Sequence, residues 1–325
     1  MIVPAYFGPQ YGLDTATNFN RTEGWTVSLK NAATELGSSL IVVASPHVGP
    51  GTDAPTTDSG GNPALQLLTP PGAWWQAYRD AIQGVRGENG QVVGFIDLAN
   101  GTRRAAVQTD IDTWFDWYSP DPGIDGIFFD RASMAWEDYT TSYYDYLDSL
   151  YTEVQAKQPG ATVVFNFGSI PPDQVKEVTA GPFGDSTVTV TNTPYDYPNL
   201  KQAILVTFEN TYAEFPTQYR NKLAVQQWVD AEAANNPTGF GALFHTTPAP
   251  WIYTSWYFAY TWASTQNIGW VYMTDDVMAN PFDTLPDYFA KVVRYVRNRA
   301  VRGNWVLMWA KVTAGAVATL GLYRC

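Results

Sequence analysis

Short apolar runs that recur at intervals too wide for hairpins constrain this chain more than any other feature. IVPAYF (2–7), SLIVVAS (39–45), QVVGFID (91–97), DGIFFD (125–130), TVVFNF (162–167), AILVTFE (203–209), GALFHT (241–246) and IGWVYMT (268–274) read as eight strands. Helical patterns lie between them at 25–36, 73–86, 105–118, 138–157, 217–234, 251–265 and 284–302. The missing helix falls between the fifth and sixth strands. There IPPDQVKEV is predicted to form a short helix ahead of an irregular insertion, 180–198. Strands that are apolar on both faces and alternate with helices form a parallel sheet, and eight such units in about 300 residues predict a single (β/α)8 barrel over 1–304. The open doubly wound sheet is the alternative. Its nucleotide-binding version lacks a GxGxxG or GxxxxGK[ST] turn after any strand.

The apolar tail, 305–325, is left outside the barrel with its structure open; Lys311 within it argues against a membrane span. The opening MIVPAYFGPQ reads as a barrel strand and not as a signal peptide. A net charge of -12, spread without blocks of like charge, repels phosphate backbones and anionic membranes, so neither nucleic acid nor membrane is an expected partner. A monomer is expected. The lone cysteine, Cys325, excludes an intramolecular disulfide. Asn20 and Asn100 begin N-x-T triplets that a secreted chain can glycosylate.

In a (β/α)8 barrel the chemistry sits at the C-terminal strand ends. Asp97, Asp130, Asn166, Glu209, Asp275 and Asp276 end strands here, and His47 and His245 fall at or near such ends. Alternation then sorts the faces. Asp130 shares a face with Phe128, and Glu209 with Thr207 and Leu205, which leaves Val206 and Phe208 to meet the helices. If both acids point inward, Asp130 and Glu209 look at each other across the mouth. That is the arrangement glycoside hydrolysis needs, at about 5–5.5 Å for retention and about 6.5–9.5 Å for inversion. The plainer reading is that strand-end acids cap the next helix or pair with a nearby arginine.

Aromatic residues make up 15% of the chain. Most are expected in the core, but Tyr6 and Trp74 lie near predicted loops at the barrel top, where flat faces suit sugar rings. His47 and His245 carry no metal-ligand spacing, and no GxSxG elbow is present, so neither a metal nor another cofactor is expected.

Taken in order, these stretches resemble the spherulin-4-like family (spherulation-specific family 4), grouped as family 135 glycoside hydrolases. VPAYFGP is similar to its opening strand, IVVASPHVGPG to its Asn-Pro-x-x-Gly-Pro-Gly loop, and VVGFIDLANGTR to its Gly-Tyr-Val strand and turn. DGIFFD, FNFGSIPP and ILVTFENTYAEF follow in the family's order. The resemblance implies a secreted or cell-surface barrel acting on a microbial exopolysaccharide of α-1,4-linked galactosamine or N-acetylgalactosamine. It assigns Asp130 and Glu209 as the catalytic carboxylates, and Tyr6, His47, Asp97, Asn166, Trp74 and Arg131 then line the cleft. Arg131 stands where the family has a glutamate. A guanidinium turned toward Asp130 lowers its pKa and argues for a binding-only protein; one turned outward, toward Glu137 or Asp138, leaves Asp130 free.

Overall fold

The computed structural model describes residues 1–9, 13–14, 19–45, 73–118, 123–133, 140–169, 171, 175–181, 184–190, 196–214, 239–247, 269–276, 282–302, 305–307 and 322–324. All eight expected strands are present: β1 (Ile2–Ala5), β2 (Ile41–Ala44), β3 (Gln91–Asp97), β4 (Gly126–Asp130), β5 (Thr162–Asn166), β6 (Ile204–Thr211), β7 (Phe240–His245) and β8 (Trp270–Met273). They form one parallel sheet in sequence order, and β8 returns beside β1 to give a nearly closed (β/α)8 barrel. Just past the strand ends, the Tyr6 amide donates to the Phe282 carbonyl at 3.1 Å and ties the first and last units together.

Strands buried on both faces have no polar side to write into the sequence, which is why they read as unbroken apolar runs. The helices carry the complementary signal. Helix α1 (Ala73–Arg86) buries Tyr78, Ala81, Ile82 and Val85, one stripe at helical spacing. Helix α2 (Arg104–Tyr118) buries Val107, Ile111, Trp114, Phe115 and Tyr118 in the same way. Helix α3 (Thr141–Lys157) starts where the Thr140 hydroxyl accepts from the Tyr143 amide at 3.2 Å, and it buries Tyr144, Leu147, Leu150 and Val154. Truncating a fully buried member such as Leu147 to alanine costs about 2–5 kcal/mol.

Gly94 on β3 sets how closely α2 approaches. A Cβ there would stand 2.5 Å from the Trp114 ring, whose Nε1 donates to the Phe95 carbonyl at 2.9 Å. The site that follows depends on this contact, because it seats the strand that ends in Asp97.

The structure differs from the sequence reading in several places. Where a short helix was expected to run into an irregular insertion, the described residues form a β-hairpin, Val175–Gly181 against Gly184–Val190. Valine and threonine recur through both arms, and their branched side chains favour the extended backbone over a helix. The first helical stretch begins earlier, at Arg21–Glu23, where Asn20 accepts from the Glu23 amide, and it passes through a π-helical segment, Gly24–Leu29, into Lys30–Leu36. The last helix is shorter than expected, Phe289–Arg302. The helices expected at 217–234 and 251–265 lie outside the described residues. Within the tail, Trp305–Leu307 pairs antiparallel with Leu322–Arg324. Among the described residues no helix is long and apolar enough to cross a membrane.

One correction concerns strand parity. In β6, Leu205 pairs with Phe165 while Val206 pairs with Asn166, so Val206 shares the inward face and Leu205 the outward one. The register against β7 then shifts between Val206 and Phe208, leaving Thr207 as an extra residue. Beyond this bulge, Phe208 pairs with Ala242 and Glu209 with Leu243. The phase of the strand has flipped: Glu209 faces inward because of the bulge, not because it shares a face with Leu205.

Candidate active site at the barrel mouth

Four adjacent strands deliver the polar groups. Asp97 and Asp130 end β3 and β4 as direct register partners, above Phe95 and Phe128, which also pair and stack at 6.3 Å between ring centroids. Asn166 ends β5, and β6 brings Glu209 inward past its bulge. Tyr6, just beyond β1, packs edge-on against Phe95 at 5.2 Å and against Phe282 at 5.6 Å, and the charges of Asp130, Glu209 and Asp97 together hold its phenol protonated after burial has raised its pKa. Expected residues from five strands therefore meet at one mouth.

Asn166 is the hub. Its Nδ2 donates to Asp130 Oδ1 at 2.7 Å and to Glu209 Oε2 at 2.5 Å. Its Oδ1 accepts from the Gly168 amide at 3.0 Å, which fixes the amide orientation. Gly168 takes φ +62, a left-handed turn that glycine enters without a Cβ penalty, and its carbonyl accepts from the Glu209 amide at 3.0 Å. Because one nitrogen reaches both carboxylates, their nearest oxygens lie within the length of those two bonds laid end to end, about 5 Å. That is the short class of carboxylate separation. The sequence reading made Asn166 a lining residue; the geometry makes it the bridge between the acids.

Both carboxyls are pushed toward their neutral forms. Burial raises Asp130 from 3.8 to about 6, opposed chiefly by the Asn166 hydrogen bond. Burial and then the Asp130 charge raise Glu209 from 4.5 to about 7. Two acids this close cannot both ionise cheaply, so near neutral pH the pair shares a proton.

Arg131 follows neither of the two expected courses. Its backbone takes φ +50, outside the strand conformation, and its guanidinium turns across to β3. There Nε donates to Asp97 Oδ1 at 2.7 Å and Nη2 pairs with Asp97 Oδ2. Glu137 and Asp138, the partners foreseen for an outward arginine, lie outside the described residues. The Arg131 charge does lower Asp130, but as the smallest of the causes acting on it. Asp97 is engaged further: its Oδ1 accepts from the Ala99 amide at 2.7 Å and its carbonyl from Arg103 Nη1 at 2.5 Å.

Backbone strain gathers at this end of the barrel. Of the non-glycine residues with positive φ, Ala99, Asn100, Arg131 and Thr246 all follow strand ends β3, β4 and β7. Such conformations persist where the surroundings over-determine them, and they cluster at functional sites.

His245 is a residue the sequence reading noted without giving it a place in the cleft. It pairs with Thr211 two positions beyond the Glu209–Leu243 pair, so it occupies the Glu209 face one step nearer the mouth. Its Nδ1 lies 2.9 Å from the Thr246 hydroxyl, and burial lowers its pKa, which keeps the ring neutral near pH 7. The signal for it was strand position; the register was needed to assign its face. Trp74 opens helix α1, and His47 lies outside the described residues. Trp75, Trp270 and Tyr272 pack in or against the core. Among the described residues no group of three His, Cys, Asp or Glu side chains is arranged to hold a metal ion.

Comparison with known proteins bears on both fold and family. The family model for spherulation-specific family 4 matches residues 1–296. Among solved structures, Aspergillus clavatus Sph3 in complex with GalNAc superposes with a TM-score of 0.58 at 18% identity, covering 91% of this chain and 98% of that one. At that identity the likeness speaks for the fold. A search of curated proteins finds no match.

Proposed function

This chain belongs to spherulation-specific family 4, and from that membership we propose that it is a glycoside hydrolase acting on a microbial exopolysaccharide that contains galactosamine or N-acetylgalactosamine. The observation that carries the reading is the buried Asp130–Glu209 pair bridged by one asparagine amide at the barrel mouth. Support for the sugar comes from the resemblance of the strand-end motifs and from the GalNAc present in the Sph3 structure of the same fold. Extracellular or cell-surface action by a monomer is part of the same proposal, since an exopolysaccharide lies outside the cell.

The mechanism follows from the proton inventory. In the course proposed here Glu209, raised by burial and by the Asp130 charge, carries the shared proton and protonates the glycosidic oxygen as the bond to the anomeric carbon breaks. Asp130, ionised and held by Asn166 Nδ2, attacks that carbon and forms a glycosyl ester. Glu209, now a carboxylate, takes a proton from water, whose oxygen displaces Asp130 and restores both groups. The short separation of the acids leaves no room for water between them in the first step and favours this retaining course.

The alternative, a carbohydrate-binding protein without activity, drew on an arginine beside the acid. With that guanidinium engaged by Asp97, its motive is weaker. Release of reducing ends from N-acetylated and deacetylated α-1,4-galactosamine polymers tests the proposal. Wild type is expected to release them, with a loss of about 10²-fold or more in Asp130→Asn and in Glu209→Gln. Polymer binding without release in the folded wild type would leave the binding role in its place.

A further inference from the structure

Three carboxylates, from β3, β4 and β6, converge at the mouth, yet the chemistry proposed above uses two. Asp97 is 4% exposed and sits directly abreast of Asp130, with the Leu98 amide donating to the Asp130 carbonyl at 3.0 Å. The Asp97 charge so close disfavours ionisation of Asp130. Arg131 offsets it. It meets both Asp97 oxygens through Nε and Nη2, a two-point grip that a lysine cannot reproduce. Its left-handed backbone is what turns it there, and that turn is held on both sides: the Asn100 amide donates to the Arg131 carbonyl at 3.1 Å and the Ala132 amide to the Asn166 carbonyl at 2.8 Å.

We propose that Arg131 is a positioning residue that clamps the Asp97 carboxylate and compensates its charge, which leaves Asp130 and Glu209 as the pair that shares a proton. The proposal rests on the hydrolase reading for its kinetic consequences, but not for its electrostatic ones. Among the described residues, the charged and titratable groups that act on Asp130 or on which its charge acts are Tyr6 from beyond β1, Asp97 from β3, Arg131 from beyond β4 and Glu209 from β6. Arg103, after β3, holds the Asp97 carbonyl and the Asp110 carboxylate, so it stabilises the turn and leaves the Asp97 carboxylate to Arg131. The effects on Asp130 have opposite signs, Asp97 raising its pKa and Arg131 lowering it.

Opposite signs make the test specific. Arg131→Gln leaves Asp97 uncompensated and is expected to move the acid limb of kcat/KM up by about 0.5–1 pH unit. Asp97→Asn frees the guanidinium and is expected to move it down by a similar amount, and the double variant is expected to bring it back toward wild type. Arg131→Lys, with one charge and no fork, is expected to fall between wild type and Arg131→Gln, and it serves if the glutamine variant does not fold. The same shifts are read without activity from the carboxyl carbon resonance of Asp130 titrated by NMR. That second readout separates this proposal from the hydrolase reading: absent hydrolysis with opposite NMR shifts would sink only the latter. Shifts of the same sign in the two single variants, or none above about 0.2 unit in folded protein, would overturn the role given to Arg131.

Discussion

Replacing Glu209 with glutamine removes a charge the fold holds at a cost, so the variant is expected to be more stable than wild type at alkaline pH. The sign comes from burial. Glu209 titrates at about 7 in the folded chain against 4.5 as an ordinary side chain. A raised folded pKa means stability that is fully present below about pH 4.5 and is lost as pH rises toward and through 7. Taken at face value the shift is worth about 3 kcal/mol at pH 8. Part of it belongs to the coupling with Asp130, and the site opens at the barrel mouth, so about 1–3 kcal/mol is the working range. Glutamine keeps an oxygen that can accept from Asn166 Nδ2, so the bridge survives while the charge does not. Urea unfolding of both proteins at pH 8 and pH 4 measures the difference. The gain is expected at pH 8 and should vanish at pH 4, where the wild-type carboxyl is protonated in the folded state. A gain independent of pH, or a glutamine variant less stable at pH 8, would refute the claim that desolvation raises this acid. No substrate is needed, so the outcome stands apart from the choice of polymer.

Asn166→Leu, close in shape but without a donor, removes the hydrogen bonds that lower both acids; the acid limb of kcat/KM is expected to rise by about one unit and kcat to fall at least tenfold, measured as reducing-end release across pH. Deleting Thr207 removes the bulge and leaves Val206, Phe208 and Glu209 in regular alternation against Gly241, Ala242 and Leu243, so Glu209 stays inward and hydrolysis is expected to be retained; its loss in a protein with a retained circular dichroism spectrum would refute Thr207 as the extra residue. Gly94→Ala forces a Cβ into the Trp114 ring and is expected to destabilise the fold by about 1–3 kcal/mol, read from the urea midpoint.

By itself the sequence determined a parallel sheet of eight strands covered by helices, for which a barrel was the expected closure. Eight runs such as IVVA and GIFFD, buried on both faces, can be satisfied only in a covered parallel sheet, and the stripes of the helices between them supply the cover. It also determined which acids could matter, because an acid closing an apolar strand lies at the C-terminal mouth wherever the strand goes. Tertiary structure decided the rest. Parity counted along AILVTFE assumes one residue per step, and a bulge at Thr207 depends on how β6 fits β7, a non-local match that no local pattern records. The count reached the right face for Glu209 by the wrong route. Arg131 was legible as a departure from a family glutamate, but its direction was set by a left-handed turn and a carboxylate 34 positions earlier in the chain. Asn166 looked like a lining residue because its hydrogen-bond partners on β4 and β6 come beside it only once the sheet has formed. Local pattern fixes where a side chain sits along its own element; which groups share a proton is fixed by register and burial between elements, and those exist only in the folded chain.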